Sequence, residues 1–351
     1  MDLDEMLIYG DFPFAIYGAQ VVAYGAYKAI LHLYKRKPEC FIVSTLADNP
    51  HEIEGIPVCT PEKIQSNWAV IIGVTELLQD EIVRKIQAMG VTRYLKLTQS
   101  VEHSLMSRYF DTLGRFKTVG ETDNSGKKVN FILYEIRNHR DKALNHPALL
   151  KEYERSLQAG AALTESKIAE FMDNSGENIS VKNMQYCEMT GSYWVWKNTD
   201  HDWVGIEHYR RHLLVSPKMI ADDIDVIMPL PYMSYPNILS QFRRFVSEDV
   251  VKLLIDTLNT LHPDHYDIYM EILNGQYQYT YNLVSAKKEV FDDYCKWFFE
   301  ITTYMEQFGD RVQDISTTRA LSYVAEVLTN LYFMSNQSKL KIRHVGKAIY
   351  V

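Results

Sequence analysis

The sequence predicts an α/β protein of two domains: an N-terminal Rossmann-like lobe built on a parallel sheet, then a second α/β domain with a helical C-terminal part. Three observations carry this. Strand and helix signals alternate through the first hundred residues, as a doubly wound sheet requires. A chain of 351 residues exceeds one ordinary small domain. A polar stretch from Gly120 to Lys128 then interrupts the pattern, and a new apolar strand begins at Val129. These place the lobe at 1–110, a linker at 111–128 and the second domain at 129–351.

The elements follow in order. Phe14–Tyr17 is a short apolar strand, with Gly18-Ala19 turning into a helix over Val21–Leu33. Cys40–Val43 is the second strand and Gly55–Val58 an extended piece. Thr60-Pro61-Glu62 has the form of an N-cap with Pro at the first helical position. The continuous apolar run Trp68–Val74 fits a strand buried on both faces. A helix over Leu78–Met89 closes at Gly90, and Arg93-Tyr94-Leu95 opens the last strand of a sheet ending near Leu105. In the second domain, strands are expected at Val129–Tyr134, Trp203–Ile206 and Val226–Met228. Helices are expected at Leu149–Ala162, Ser247–Leu261, Lys287–Met305 and Thr317–Phe333.

Composition bounds the function. A net charge of −8 argues against non-specific nucleic-acid binding. Cys40, Cys59, Cys187 and Cys295 are scattered without a CxxC pair, which fits reduced thiols better than zinc or disulfides. No apolar run reaches membrane-spanning length and the first residues lack a signal-peptide start. The expectation is a soluble cytoplasmic protein, any membrane association being peripheral.

Tyr17–Gly25 sits where a dinucleotide fold carries G-x-G-x-x-G, after a strand and opening a helix. Gly18 is its one weak candidate for cofactor contact. Gln20 occupies the position of the second glycine, and the second strand ends in Ser44-Thr45 with no acid for a ribose hydroxyl. NAD is therefore not expected. Ile16–Ala19, Phe41–Ser44 and Ile53–Val58 make this lobe resemble the Rossmann-like domains at the front of bacterial polysaccharide-biosynthesis enzymes, including sugar acyltransferases.

The densest signal is Asn178–Leu214, which mixes large aromatics with amides, acids and arginines. Aromatic faces supply rigid contact area and arginine a forked donor set, a combination suited to sugars, bases and phosphates. Its candidate binding residues are Asn178, Lys182, Tyr186, Trp194, Trp196, Asn198, Tyr209, Arg210 and Arg211. The alternative is an aromatic core with satisfied polar groups, the arginines pairing with Glu188 or Asp202. Two adjacent arginines after the Trp203–Ile206 strand are poor core material. Strand alternation would put His208 and Arg210 on one face, Tyr209 and Arg211 on the other, with one arginine in the cleft.

Four blocks occur in order: Asp173–Ser180, Tyr186–Gly191, Tyr193–Asn198 and Gly205–Arg211. With Tyr281–Val284, Asp293–Cys295, Arg319–Glu326 and Leu331-Tyr332, they resemble the signature of a bacterial capsular and exopolysaccharide biosynthesis family, a domain of unknown function assigned to glycosyltransferases. The resemblance covers about residues 129–345. It implies a GT-A-like fold, a nucleotide-sugar donor and a saccharide or lipid-linked acceptor. Family members begin the domain with a strand ending in a Thr-His-Lys type motif, whereas this chain has Leu133–Arg140.

A departing diphosphate needs its charge offset by metal or cations. The strand that would present D-x-D in such a fold ends here in Glu207-His208-Tyr209-Arg210-Arg211, so Arg210 or Arg211 with His208 would replace the metal. Asp223 and Asp225 form the one convenient D-x-D, but they precede a strand. They are the alternative metal ligands, and no cofactor is firmly implied. Glu326, on an otherwise apolar helix with Arg319 two turns earlier, is the first candidate for the carboxylate activating an acceptor hydroxyl; Glu188 is the second. A structural Arg319–Glu326 pair explains the same pattern equally well. Two rival functions remain: an NAD-dependent sugar-modifying oxidoreductase using the first lobe, and a non-catalytic scaffold of the polysaccharide machinery.

Overall fold

The computed structural model describes residues 2–121 and 129–350, so most of the polar stretch expected as linker lies outside the described residues. The chain divides into two compact units. The first holds Met1–Lys117 with Tyr232–Tyr235, the second Thr118–Pro231 with Pro236–Val351. The protein is of the α/β class.

The first unit is built on strands β1 (Phe14–Tyr17), β2 (Cys40–Ile42), β3 (Glu52–Ile53), β4 (Ile56–Cys59), β5 (Ala69–Ile72) and β6 (Arg93–Lys96). Their order is β3-β4-β2-β1-β5-β6, parallel except for the β3–β4 pair. Helices α1 (Val21–Tyr34), α2 (Glu76–Ala88) and α3 (Gln99–Thr112) accompany it. The last continues past the end expected near Leu105: Thr98 caps it by accepting from the Val101 N–H, and Leu105, Met106, Tyr109 and Phe110 are buried along it. The Pro61–Lys63 segment is only a single 3-10 turn.

Gly18 has a structural reason to be glycine. Its φ is 122°, and a Cβ there would stand 2.6 Å from the Gly73 carbonyl oxygen. Its N–H is spent on the Ile42 carbonyl at 2.8 Å, and Gln20 donates its side-chain amide to Asn49 at 3.1 Å.

The second unit contains β7 (Phe131–Arg137), β8 (Glu154–Gln158), β9 (Phe171–Met172), β10 (Trp203–His208), β11 (Arg211–Leu213), β12 (Val226–Pro229), β13 (Val284–Lys287), β14 (Ile342–Val345) and β15 (Lys347–Ile349). The main sheet runs β14-β12-β13-β10-β7-β8-β9, and β11 with β15 branches from β10. Only β13 opposes its neighbours along that path. The chain lays β7 centrally, winds outward through β8 and β9, then returns to place β10 on the other side of β7. The carboxyl ends of β7 and β10 therefore flank a topological switch point, where open α/β sheets place their ligands.

Alternation gives each face its own core. Tyr134, Ile136, Val204 and Ile206 face a large cluster formed with α4 (Asn183–Tyr186), α5 (Met189–Asn198), α6 (Ile238–Phe242), α7 (Glu248–Leu261), α8 (Tyr266–Asn274), α9 (Lys288–Glu306), α10 (Gln313–Thr317) and α11 (Ala320–Ser335). Phe131, Leu133 and Trp203 face a smaller one.

Two expectations are corrected. Leu149–Ala162 is not a helix but contains β8, paired in register with β7 (Leu157 beside Ile136). The helical spacing of Leu150, Tyr153, Leu157 and Ala161 was outweighed by the free hydrogen-bonding edge of β7, and Leu149 is left 92% exposed. The aromatic block is not one binding surface: Tyr186 lies on α4 and Tyr193, Trp194 and Trp196 on α5, with Tyr193 and Trp196 packed against Phe299 of α9. Among the described residues no helix is long and apolar enough to cross a membrane.

Candidate functional site

Strand β10 stops at His208, and the chain reverses through Tyr209-Arg210 into antiparallel β11, with His208 opposite Arg211. The expected alternation through Arg211 therefore does not occur. The Tyr209 N–H donates to the Ile136 carbonyl at 3.1 Å, pinning the turn to the end of β7. The Arg210 N–H lies 3.3 Å from His208 Nδ1. The Arg210 guanidinium sits 5.3 Å from the Tyr209 ring centre and that of Arg211 4.0 Å from Tyr281's. The Nε–H of each arginine is buried and meets no acceptor. Two buried cationic donors without acceptors therefore stand beside the switch point.

Both arginines act on His208. Burial first, then the Arg211 and Arg210 charges, depress its imidazole to about 3. His208 is therefore neutral near pH 7 and does not supply the positive charge the sequence assigned it.

Three carboxylates share this neighbourhood. Glu326 on α11 is pushed up to about 7 by burial and by Glu188, against the opposing pull of Arg211, the Tyr281 backbone and Arg319. It nevertheless keeps some solvent-exposed surface. Glu188, at the start of α5, accepts from Asn282 Nδ2 at 3.0 Å. Asn282 Oδ1 in turn accepts from the Thr329 hydroxyl at 2.9 Å, which fixes the amide's orientation. Tyr281 and Asn282 both take left-handed backbone, with φ of 70° and 53°. A bulky Tyr in that region is strained, and such strain gathers at sites that require a fixed geometry.

Asp141 is the third acid and the one the sequence reading missed. Burial raises its carboxyl to about 6, opposed by the Asn138 N–H and Arg210. The Asn138 N–H donates to Asp141 Oδ2 at 2.7 Å, so the acid closes a turn directly after β7. The signal was its position, four residues past the end of a central strand. Arg319, at the N-terminus of α11, lowers both Glu326 and His208. Thus Glu326, Glu188, His208, Tyr209, Arg210, Arg211 and Arg319 come together, with Asp141 and Tyr281 added.

The other expected binding residues lie elsewhere and do structural work. Tyr186 is buried against Phe299, and Trp194 is buried against Tyr134 and Phe171 with its indole N–H on Ser175. Trp196 stacks on Phe299, and the Lys197 ammonium lies 3.8 Å from its ring centre. Asn178 and Asn198 organise the turn around Gly176 and Glu177. Lys182 pairs with Glu306 at 2.8 Å. None of these offers a free aromatic face to the switch point.

The Asp223/Asp225 pair does not fit a metal site. It precedes β12, and that strand runs parallel to β10, so the pair sits at the sheet edge opposite the cluster. Asp225 is spent on Lys287 at 2.6 Å and the Lys341 N–H at 2.9 Å, while Asp223 is 74% exposed.

On the smaller-core side of the sheet, Glu154, Glu207 and His212 bring potential ligand atoms within 4.8 Å of one another. Counter-charges already fill the arrangement. His212 lies 3.1 Å from both Glu135 and Glu207, Lys151 is 3.2 Å from Glu154, and Arg137 pairs with Glu135. Burial alone would lower His212, but the two carboxylates outweigh it and raise the imidazole to about 9. Three cations matched to three acids make an internal ion network that holds β7, β8, β10 and β11 together.

A family model described as "Domain of unknown function (DUF4422)" matches residues 136–337, more than half the chain and all the clustered side chains. A solved structure described as "WbbM bifunctional glycosytransferase apo structure" is similar in fold, with a TM-score of 0.54 and 24% identity. The match covers 63% of this chain and 45% of that one, less than half of that protein's length. No curated protein matches the sequence.

Proposed function

This chain belongs to the DUF4422 family, and we propose that it is a glycosyltransferase of bacterial capsule or surface-polysaccharide assembly. It moves a sugar from a nucleotide-sugar donor to a saccharide or lipid-linked acceptor, acting in the cytoplasm or peripherally at the inner membrane face. The observation that carries this is the pair of buried, acceptor-free Nε–H groups on Arg210 and Arg211 at the β7/β10 switch point. The likeness to the solved glycosyltransferase fold and the resemblance to a GT-A-like arrangement support it.

The chemistry follows from the residues. The donor diphosphate lies against Arg210 and Arg211, whose charge offsets the negative charge that develops as the sugar–phosphate bond breaks. The acceptor oxygen bonds to the anomeric carbon, the nucleoside diphosphate departs, and the acceptor proton passes to Glu326. A carboxyl near 7 divides its time between acid and base at neutral pH, which suits proton transfer. Glu188, held by Asn282, stands second in line. Neutral His208 orients the Arg210 backbone instead of carrying charge. The two arginines hold the diphosphate without a metal: the D-x-D pair precedes β12, at the opposite end of the strands from the cluster, and Asp225 is bonded to Lys287 and the Lys341 N–H.

A thermal-shift screen of the full chain against UDP-, GDP-, CDP- and dTDP-sugars and NAD(H) tests the reading. At a hundred times Kd a ligand adds about 2.7 kcal/mol to apparent stability. One nucleotide-sugar series is expected to raise Tm by several degrees. A shift with NAD(H) alone would favour the oxidoreductase reading through the first unit.

A further inference from the structure

Along one stripe of α11, Arg319, Tyr323 and Glu326 follow at spacings of four and three, so all three project to the same side. The Arg319 guanidinium sits 5.1 Å from the Tyr323 ring centre. Beyond it the Phe245 ring stacks on Tyr323, with centroids 5.2 Å apart and planes 18° from parallel. Phe245 is 52% exposed, the one aromatic among the large exposed hydrophobic side chains of the described residues. An aromatic pair with a solvent-facing ring, beside a cation and one helical turn from Glu326, has no packing role that requires its exposure.

We propose that Phe245 and Tyr323 form the acceptor subsite, a platform for one sugar ring of a saccharide. This rests on the glycosyltransferase reading. A pyranose offers an apolar C–H face to a ring and a rim of hydroxyls to polar neighbours, and aromatics provide that contact at low entropic cost. The Arg319 Nε–H is directed at Ser322 Oγ at 3.3 Å, and its terminal N–H groups donate to the hydroxyl rim. The stripe then leads to Glu326, the group proposed to take the proton from the attacking hydroxyl. The donor arginines belong to the turn after β10 and the first residue of β11, so the two substrates approach Glu326 from different elements.

The test uses Phe245→Ala, Tyr323→Ala and Phe245→Trp in the full chain, with methyl glycosides of galactose, glucose, mannose and N-acetylglucosamine as probes. Binding is read by saturation-transfer NMR, and acceptor kinetics with the sugar nucleotide that gives the largest thermal shift. Phe245→Ala should keep the wild-type Tm and the affinity for the nucleoside diphosphate that the wild type binds, lose most of the glycoside signal and raise acceptor KM about tenfold at unchanged kcat. Phe245→Trp should retain binding. Glycoside binding lost in Phe245→Ala in a wild type that transfers no sugar would uphold the subsite and sink the transferase reading. Unchanged glycoside binding in both alanine variants, no glycoside binding to the wild type, or nucleoside diphosphate affinity falling with Phe245→Ala would each overturn the subsite.

Discussion

Glu326→Gln is expected to lower the transfer rate by about 10²–10⁴-fold, the usual contribution of a positioned general base. The amide keeps the shape of the carboxyl but cannot accept the acceptor proton, so nucleoside diphosphate affinity should stay within about threefold. A stability signature accompanies the loss. The folded protein holds the Glu326 proton more tightly than the unfolded chain does, because burial and Glu188 raise its carboxyl to about 7. The stabilising contribution is therefore complete below the ordinary carboxylate range and is lost as pH rises through about 7. At pH 8 the wild type bears a cost of up to about 3 kcal/mol that the glutamine does not. Thermal melts should show Glu326→Gln more stable than wild type at pH 8, with the difference shrinking as pH falls and closed at about pH 4. A variant that keeps full transfer rate would move the proton-accepting role to Glu188 or Asp141.

Arg210→Ala and Arg211→Ala should each weaken nucleoside diphosphate binding at least tenfold, since a charge-assisted bond to a sequestered phosphate contributes about 1.5–3 kcal/mol. The sequence alone predicts such a loss for one arginine and a stability defect for the other. The hairpin changes that expectation: reversal at Tyr209-Arg210 brings both guanidinium groups beside His208 and leaves both Nε–H groups without acceptors. Lysine at either position should restore little, because it offers a point charge in place of a planar fork. Titration calorimetry on the folded variants measures this. Wild-type affinity in both alanine variants would remove the anion receptor from the switch point.

Much of this was legible in the residues and some was not. The apolar runs of β1, β5 and β10 and the long periodic helices α7, α9 and α11 announced themselves through burial on both faces or on one helical stripe. Strand β8 did not, because its edge pairing with β7 depends on a partner distant in sequence, and local spacing imitated a helix. The aromatic block misled for a related reason. Tyr193 and Trp196 pack against Phe299, and Trp194 against Phe171, so side chains that look like a stacking surface are core. The charged members Glu188, Arg210, Arg211, Arg319 and Glu326 stood out because charges beside apolar segments are costly without a partner or a task. Asp141 and the Tyr281-Asn282 pair did not, since a turn acid and two left-handed residues acquire meaning only from their neighbours in space.

The central claim is that Arg210 and Arg211, and no metal, hold the donor diphosphate in the second unit. The most direct measurement is calorimetric titration of UDP, GDP, CDP and dTDP into the full chain in EDTA, repeated with manganese. The account predicts that one of the four binds in EDTA, that manganese changes its affinity by less than about threefold, and that the double alanine variant of Arg210 and Arg211 abolishes the heat. Binding that appears only with manganese and survives in that variant would contradict it.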